Sequence, residues 1–234
     1  MQFRPFYFII LSSILLSSCS GRDFGDRTDV ITPDGSAEVS IMDFSDPPAL
    51  DPMTPGWFHR TFFWHGPMDI EFLEKDNRAA VKLSTDDSAS MLIRHVDIDL
   101  EAYPLLSWQW FIEQPIRSDT DEQTSNGDDH PARFFIIFET ASKERRAIEI
   151  IWGNRMAGGD YKYIGSFPHY VARGGDKNVG AWHDETINLL DIYRTAWSDR
   201  ASVKVTIIGL FCDSDDTDTR SIAYFADVHM KRTE

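Results

Sequence analysis

Twelve short apolar runs constrain the fold more than any other feature of this chain. They fall at 39–44, 57–63, 70–73, 79–83, 91–98, 105–112, 133–139, 148–152, 161–164, 183–189, 203–212 and 222–230, most of them closed by clusters of Pro, Gly, Asp, Asn or Ser. Short β-rich runs at this spacing predict an all-β chain, an antiparallel β-sandwich. Alternation supports the assignment. Leu106, Trp108, Trp110 and Ile112 share one face of a strand, while Ser107 and Gln109 point the other way. The runs 133–139 and 148–152 are apolar on both faces, as central strands covered on each side must be. One short helix is expected at 190–197, where Leu190, Tyr193 and Trp197 recur at spacings of three and four. No period of about 20–50 residues repeats, which argues against a solenoid or propeller.

The N-terminus carries a different signal. Arg4 precedes an apolar run at 6–16, followed by Leu16-Ser17-Ser18-Cys19. That run falls short of the roughly 20 apolar residues a spanning helix needs, and has the length and flanks of a secretory signal. The residues before Cys19 resemble the bacterial lipobox, which implies that residues 1–18 are a lipoprotein signal peptide and that Cys19 carries the lipid. A plain cleaved signal is the alternative. Ser20, rather than Asp, after the cysteine resembles the outer-membrane sorting pattern of a two-membrane bacterium. The expected location is therefore the outer membrane, facing the periplasm. Residues 19–37 are polar with scattered glycine and read as a flexible tether, leaving 38–232 as a single sandwich domain.

Charge narrows the partners. The full chain carries a formal net charge of −15, which disfavours nucleic acid and anionic membrane surfaces. It is compatible with divalent cations and neutral polymers. With Cys19 lipidated, Cys212 is the only thiol left, so no intramolecular disulfide can form. The core must hold the fold, and a 13% aromatic content points to a large one.

Three groups of residues are candidates for chemistry. In Asn126-Gly-Asp-Asp-His-Pro-Ala-Arg-Phe-Phe135, Arg133 could pair with Asp128 or Asp129 and leave the other carboxylate for a ligand. The same residues also suit a salt-bridged turn. In the acidic turn after Cys212, Asp213, Asp215 and Thr217 offer alternate oxygens to Ca²⁺, although Asp218 and Tyr224 stand where an EF-hand needs Gly and Glu. An exposed hairpin loop is the plainer reading. Trp64 and Trp182, with Trp57 and Trp152, lie near strand ends or Gly-containing turns, as aromatic platforms for sugar rings do; core burial is the alternative. His residues lack zinc spacing, and Gly165-Ser166-Phe167 lacks the G-x-S-x-G elbow. Glu149 with Asp129 is the one carboxylate pair suggested for glycoside hydrolysis.

The blocks "LLSWQW" at 105–110, "NGDDHPARFFIIFE" at 126–139, "LLDIYRTAW" at 189–197, "DSDDT" at 213–217 and "AYFADV" at 223–228 resemble, in order, those of domain of unknown function 3047. The resemblance implies a secreted or lipid-anchored antiparallel jelly-roll-like β-sandwich with a galactose-binding-like outline, and brings no reaction with it. The family tends to "DTDNT" in the later block, where this chain has Asp213-Ser-Asp-Asp-Thr217. Three roles follow as expectations: non-enzymatic binding of a carbohydrate or other envelope polymer, a polysaccharide hydrolase using paired carboxylates, or an envelope scaffold.

Overall fold

The computed structural model describes residues 24–233; Cys19 and the signal sequence lie outside them. Thirteen strands form two sheets. They are β1 (Glu38–Met42), β2 (Trp57–Thr61), β3 (Asp69–Lys75), β4 (Arg78–Asp86), β5 (Ser90–Asp99), β6 (Leu105–Gln114), β7 (Arg133–Thr140), β8 (Arg145–Gly153), β9 (Tyr161–Ile164), β10 (Phe167–Gly174), β11 (Trp182–Asn188), β12 (Val203–Phe211) and β13 (Arg220–Lys231). One sheet has the order β11-β6-β13-β4-β3, with β1 also paired to β13; the other runs β2-β5-β12-β7-β8-β10-β9.

All twelve expected strands are present. The thirteenth, β10, escapes sequence reading because Gly165-Ser166 precedes it and Pro168 removes a ladder donor. It also breaks the expected antiparallel pattern: β10 pairs with β8 in parallel, with His169 opposite Glu149.

The core lies between the sheets. Trp108 packs on Phe134 at 5.0 Å, Trp110 on Trp152 at 5.4 Å, and Phe134 on Phe225 at 5.4 Å, each crossing from one sheet to the other. Each ring removed from water contributes roughly 1.5–3 kcal/mol. Helix α1 (Leu189–Trp197) closes one end by placing Tyr193 and Trp197 against Phe138. Its start is fixed by Asn188, whose side chain accepts from the Asp191 N–H, and it stops at Ser198, which has a left-handed φ of 53°.

The expected tether is largely absent from Phe24 onward. Phe24 is buried and stacks on Phe135 at 6.0 Å, and its carbonyl oxygen is 2.7 Å from His95 Nε2. Arg27 donates to the Val96 carbonyl, Ile31 bridges Val96, and Arg94 donates to the Asp29 carbonyl. Phe135 points out of the back of the larger sheet and needs a cover, so a polar segment with two apolar residues docks there. Gly25 is required: its φ is +75°, and a Cβ would sit 2.6 Å from the Phe58 ring.

Candidate functional site

Phe134 and Trp152 point into the core, so Arg133 and Glu149 point out of the back of the seven-stranded sheet. Register extends the row. His169 on β10 lies opposite Glu149, and Lys162 on β9 lies opposite His169. Four ionisable side chains thus cross four neighbouring strands, and none is more than 3% exposed.

Arg133 is the centre of this row. Its Nη1 lies 2.5 Å from Glu149 Oε2 and its Nη2 2.8 Å from Asp213 Oδ2, with Asp128 farther away at 3.7 Å. Of the two partners expected for Arg133, Asp128 lies within ion-pair range, whereas Asp129 is engaged by Asp216 and Thr217. Lys162 uses three acceptors: the Glu122 carbonyl oxygen at 2.7 Å, His130 Nε2 at 2.7 Å, and Asp128 Oδ1. His130 Nδ1 is 2.9 Å from the Trp152 carbonyl oxygen, so the imidazole donates there and accepts from Lys162. His169 Nε2 lies 3.3 Å from Glu149 and 3.5 Å from Asp128. Glu122 holds the turn after β8 by accepting from the N–H groups of Asn154, Arg155 and Met156.

Asp129 faces the other way, toward the acidic turn. It is fully buried and accepts from the N–H groups of Asp216 and Thr217 and from the Thr217 hydroxyl. Asp213 Oδ1 accepts from the His130 N–H at 3.0 Å. The two expected loops therefore meet. Carboxylate oxygens of Asp129, Asp213 and Asp215 all lie within 4.8 Å of one another, an all-oxygen donor set of the kind Ca²⁺ takes. Thr217 is engaged differently from the expectation, because its hydroxyl serves Asp129. Cys212 is buried beneath this turn, and burial pushes its thiol up to about 12, leaving it inert.

The two halves have opposite electrostatics. Against the cost of burial, Arg133 and His169 hold Asp128 well below the usual carboxylate range and Glu149 below it. Burial, with Lys162 and Arg133 beside it, drives His130 well below 6.5 and keeps it neutral. In the acidic turn, burial and neighbouring carboxylates push Asp213 and Asp215 up, despite Arg133 and His65 respectively. Asp216 rises to about 7 through burial, Asp215 and Asp129. Its side chain is solvent-exposed, so water softens its share. Against burial, Glu149 and Asp128 raise His169 above 6.5.

These shifts set a pH dependence. Groups raised in the fold contribute fully below their unfolded values, 3.8 for the aspartates and 6.5 for His169, and lose that contribution as pH climbs through the folded values. Asp128 and Glu149 contribute above 3.8 and 4.5 and lose that contribution as pH falls through their lowered values. Below 6.5 the lowered His59, His95 and His130 act in the opposite sense, so the thermal midpoint is expected to fall between about pH 7 and about pH 8 in metal-free buffer, and Asp216→Asn to flatten part of that slope. A midpoint that rises across this interval would contradict the assignment.

The tryptophans separate. Trp152 is core, whereas Trp64 is 75% exposed beside Phe63 at 88%. Trp182 belongs to an aromatic row on the outer face of the smaller sheet, where register aligns Glu71, Lys82, Tyr224, Phe111 and Trp182 across five strands. Trp182 and Phe111 are half-buried. The Trp182 indole N–H donates to Asp76, Arg78 lies over its ring at 5.1 Å, and Gln109 donates to Asp184 at 2.6 Å alongside.

Sequence reading did not place Lys162, His169 or Glu122 in the site. Lys162 alternates with two tyrosines and looks like a solvent-facing lysine, and His169 lies on the strand that was not foreseen. Glu149 did carry a signal, as a carboxylate within a run that is otherwise apolar on both faces.

The molecule is thus a two-sheet β-sandwich with a buried ionic centre on the back of one sheet. The chain belongs to the family of proteins of unknown function DUF3047, whose model matches residues 55–229 and so spans every member of that centre. No curated protein matches it. Among solved structures, it is similar to the family 11 carbohydrate-binding module of a cellulosomal cellulase of Clostridium thermocellum, at 8% identity and a TM-score of 0.45, covering 84% of this chain and 95% of that one. It is also similar to endoglucanase 3, family GH12, of Trichoderma harzianum, at 9% identity and a TM-score of 0.42, covering 76% and 91%. A carbohydrate-binding module specific for non-crystalline cellulose, CBM28, aligns at 12% identity and a TM-score of 0.38, covering 85% and 96%.

Proposed function

We propose that this is a lipid-anchored envelope protein, held through Cys19 on the periplasmic side of the outer membrane, that binds a carbohydrate or related envelope polymer without cleaving it. The observation that carries the binding role is the row on the smaller sheet. Half-buried Phe111 and Trp182 pack on the buried Tyr224 outside the main core, with Gln109, Asp184 and Asp76 alongside, Arg78 over the Trp182 ring and Lys75 over the other two. Pyranose C–H faces pack on the accessible parts of such rings, and the amide, carboxylate, ammonium and guanidinium groups around them suit sugar hydroxyls.

Hydrolysis by paired carboxylates fits less well. Such acids must flank a bond in an accessible cleft at about 5–9.5 Å separation. Glu149 and Asp129 are instead 3% and 0% exposed, one locked to Arg133 and the other spent on three donors.

The experiment is affinity electrophoresis against a panel of soluble neutral polysaccharides, with reducing ends assayed in parallel. Trp182→Ala is expected to weaken binding about thirty-fold, since losing a central aromatic anchor costs roughly 2 kcal/mol or more. Its melting temperature should move little, because the ring lies outside the main core. Unchanged binding by the variant would remove the sheet face from the reading, and release of reducing ends by the wild type would replace binding with hydrolysis.

Calcium has a place in this reading as a brace between Asp129, Asp213 and Asp215. Arg133 already neutralises Asp213 in part, so the expected gain is moderate and depends on pH. Added Ca²⁺ should raise the thermal midpoint near pH 8, where the turn is ionised, and hardly at all near pH 5. No heat of binding and no shift at either pH would dispose of the brace.

A further inference from the structure

The geometry points to the loop bearing Phe63 and Trp64 as a second membrane contact, whose two rings rest in the lipid interface beside the N-terminal anchor. This inference rests on the anchoring at Cys19 proposed above. The two rings are 88% and 75% exposed and meet edge to face at 4.6 Å. Exposed neighbouring aromatics of this size on a soluble surface mark a contact with something outside the fold.

The loop holds the rings outward. His65 Nε2 lies 3.2 Å from Asp215 Oδ2, Gly66 bridges Ser88, and the Met68 N–H donates to the Ser90 hydroxyl. On the other side of the pair, β2 stays paired with β5 up to Thr61, so the rings project from a support fixed at both ends.

The described chain begins close by. The Arg60 guanidinium lies over the Phe24 ring at 4.6 Å and over the Phe62 ring at 5.2 Å, so the first described residue of the chain and the start of the loop share one side chain. Phe24 lies five residues after Cys19, a reach of at most about 18 Å when fully extended. Because Phe24 is docked, a diacylglycerol on Cys19 holds this end of the domain against the headgroups rather than on a long leash. Trp and Phe at that level favour the interface, where their rings leave water.

A lipid surface suits the pair better than a glycan. Edge-to-face rings present no continuous plane for a pyranose, whereas an interface accepts any orientation. A net charge of −15 selects zwitterionic over anionic lipid. In this pose the back of the seven-stranded sheet, where Phe24 docks, lies toward the bilayer. The aromatic row of the six-stranded sheet then faces away from it and stays open to polymer.

The full lipidated chain, reconstituted in phosphatidylcholine vesicles with brominated acyl chains, tests this. Bromine quenches only indoles that reach the acyl region. Wild-type emission is expected to contain a bromine-quenched component that Trp64→Phe removes, leaving the other six tryptophans insensitive. Flotation of the wild type but not of Cys19→Ser establishes the anchor independently. If the wild type floats and Trp64→Phe leaves quenching unchanged, the loop contact is overturned while the anchor stands. If the wild type does not float, anchor and contact fall together. Loss of polysaccharide binding in Trp64→Phe, with no bromine quenching in the wild type, would assign the loop to the glycan and also overturn the inference.

Discussion

Replacing Arg133 with Met is expected to destabilise the domain by about 3–5 kcal/mol, the cost of removing one partner from a buried ion pair. The guanidinium serves Glu149 at 2.5 Å and Asp213 at 2.8 Å, and it is the leading charge holding Asp128 and Glu149 below their usual range. Without it, Glu149 retains only His169 at 3.3 Å and must either ionise without a full counter-charge or take up a proton. Methionine restores volume but no charge. For a domain of this size the loss corresponds to a fall in melting temperature of roughly 10 °C. Arg133→Lys should recover only part of it, because an ammonium cannot engage two carboxylates with a fixed fork. Urea unfolding of the three proteins measures the effect. A change below about 1 kcal/mol for the Met variant would mean that the centre is wetter than its burial indicates.

Lys162→Met is the second large effect, expected at roughly 3 kcal/mol. The ammonium meets the Glu122 carbonyl oxygen, His130 Nε2 and Asp128 in a site 3% exposed, so its loss takes a donor from two buried neutral acceptors and leaves Asp128 with the longer contacts to His169 and Arg133. Some relief is available to His130, which can shift its proton to Nε2, but that tautomer abandons the Trp152 carbonyl. The loss should couple to Asp128. A double-mutant cycle with Asp128→Asn is expected to show an interaction of about 1–3 kcal/mol, as for residues sharing one buried network. Strict additivity would refute a direct Lys162–Asp128 pairing.

Neither replacement is expected to touch polysaccharide binding beyond its effect on folding, since the aromatic row lies on the other sheet. That separation is what a binding module with a structural ionic centre predicts, and an enzyme built on Glu149 would behave otherwise. In such an enzyme Glu149→Gln would abolish turnover while sparing affinity.

The layout of the sandwich was legible because its signals are local. Alternation in 105–112 and the doubly apolar runs at 133–139 and 148–152 record which faces are buried, and each strand carries that record in its own residues. The helix at 189–197 was legible for the same reason, with Asn188 at its start. The convergence of the loops around Asp129 and Asp213 was partly legible, since two acidic blocks beside strong strands can meet only if those strands adjoin, and β7 and β12 do. Strand β10 was hidden by its glycine and proline, and with it His169. The docking of Phe24 was hidden because a polar segment looks mobile until the surface it covers is known.

By itself the sequence determined the class of fold, the family, and the burial of most of its aromatic residues, since apolar periodicity encodes burial residue by residue. The tertiary structure decided which charges share a centre. Arg133, Glu149, Lys162 and His169 meet because parallel pairing of β8 with β10 sets one register across four strands, and electrostatic coupling depends on distance in space rather than along the chain. It likewise decided that Trp182 lies within an aromatic row while Trp64 stands alone with Phe63, a difference that no local pattern of residues carries.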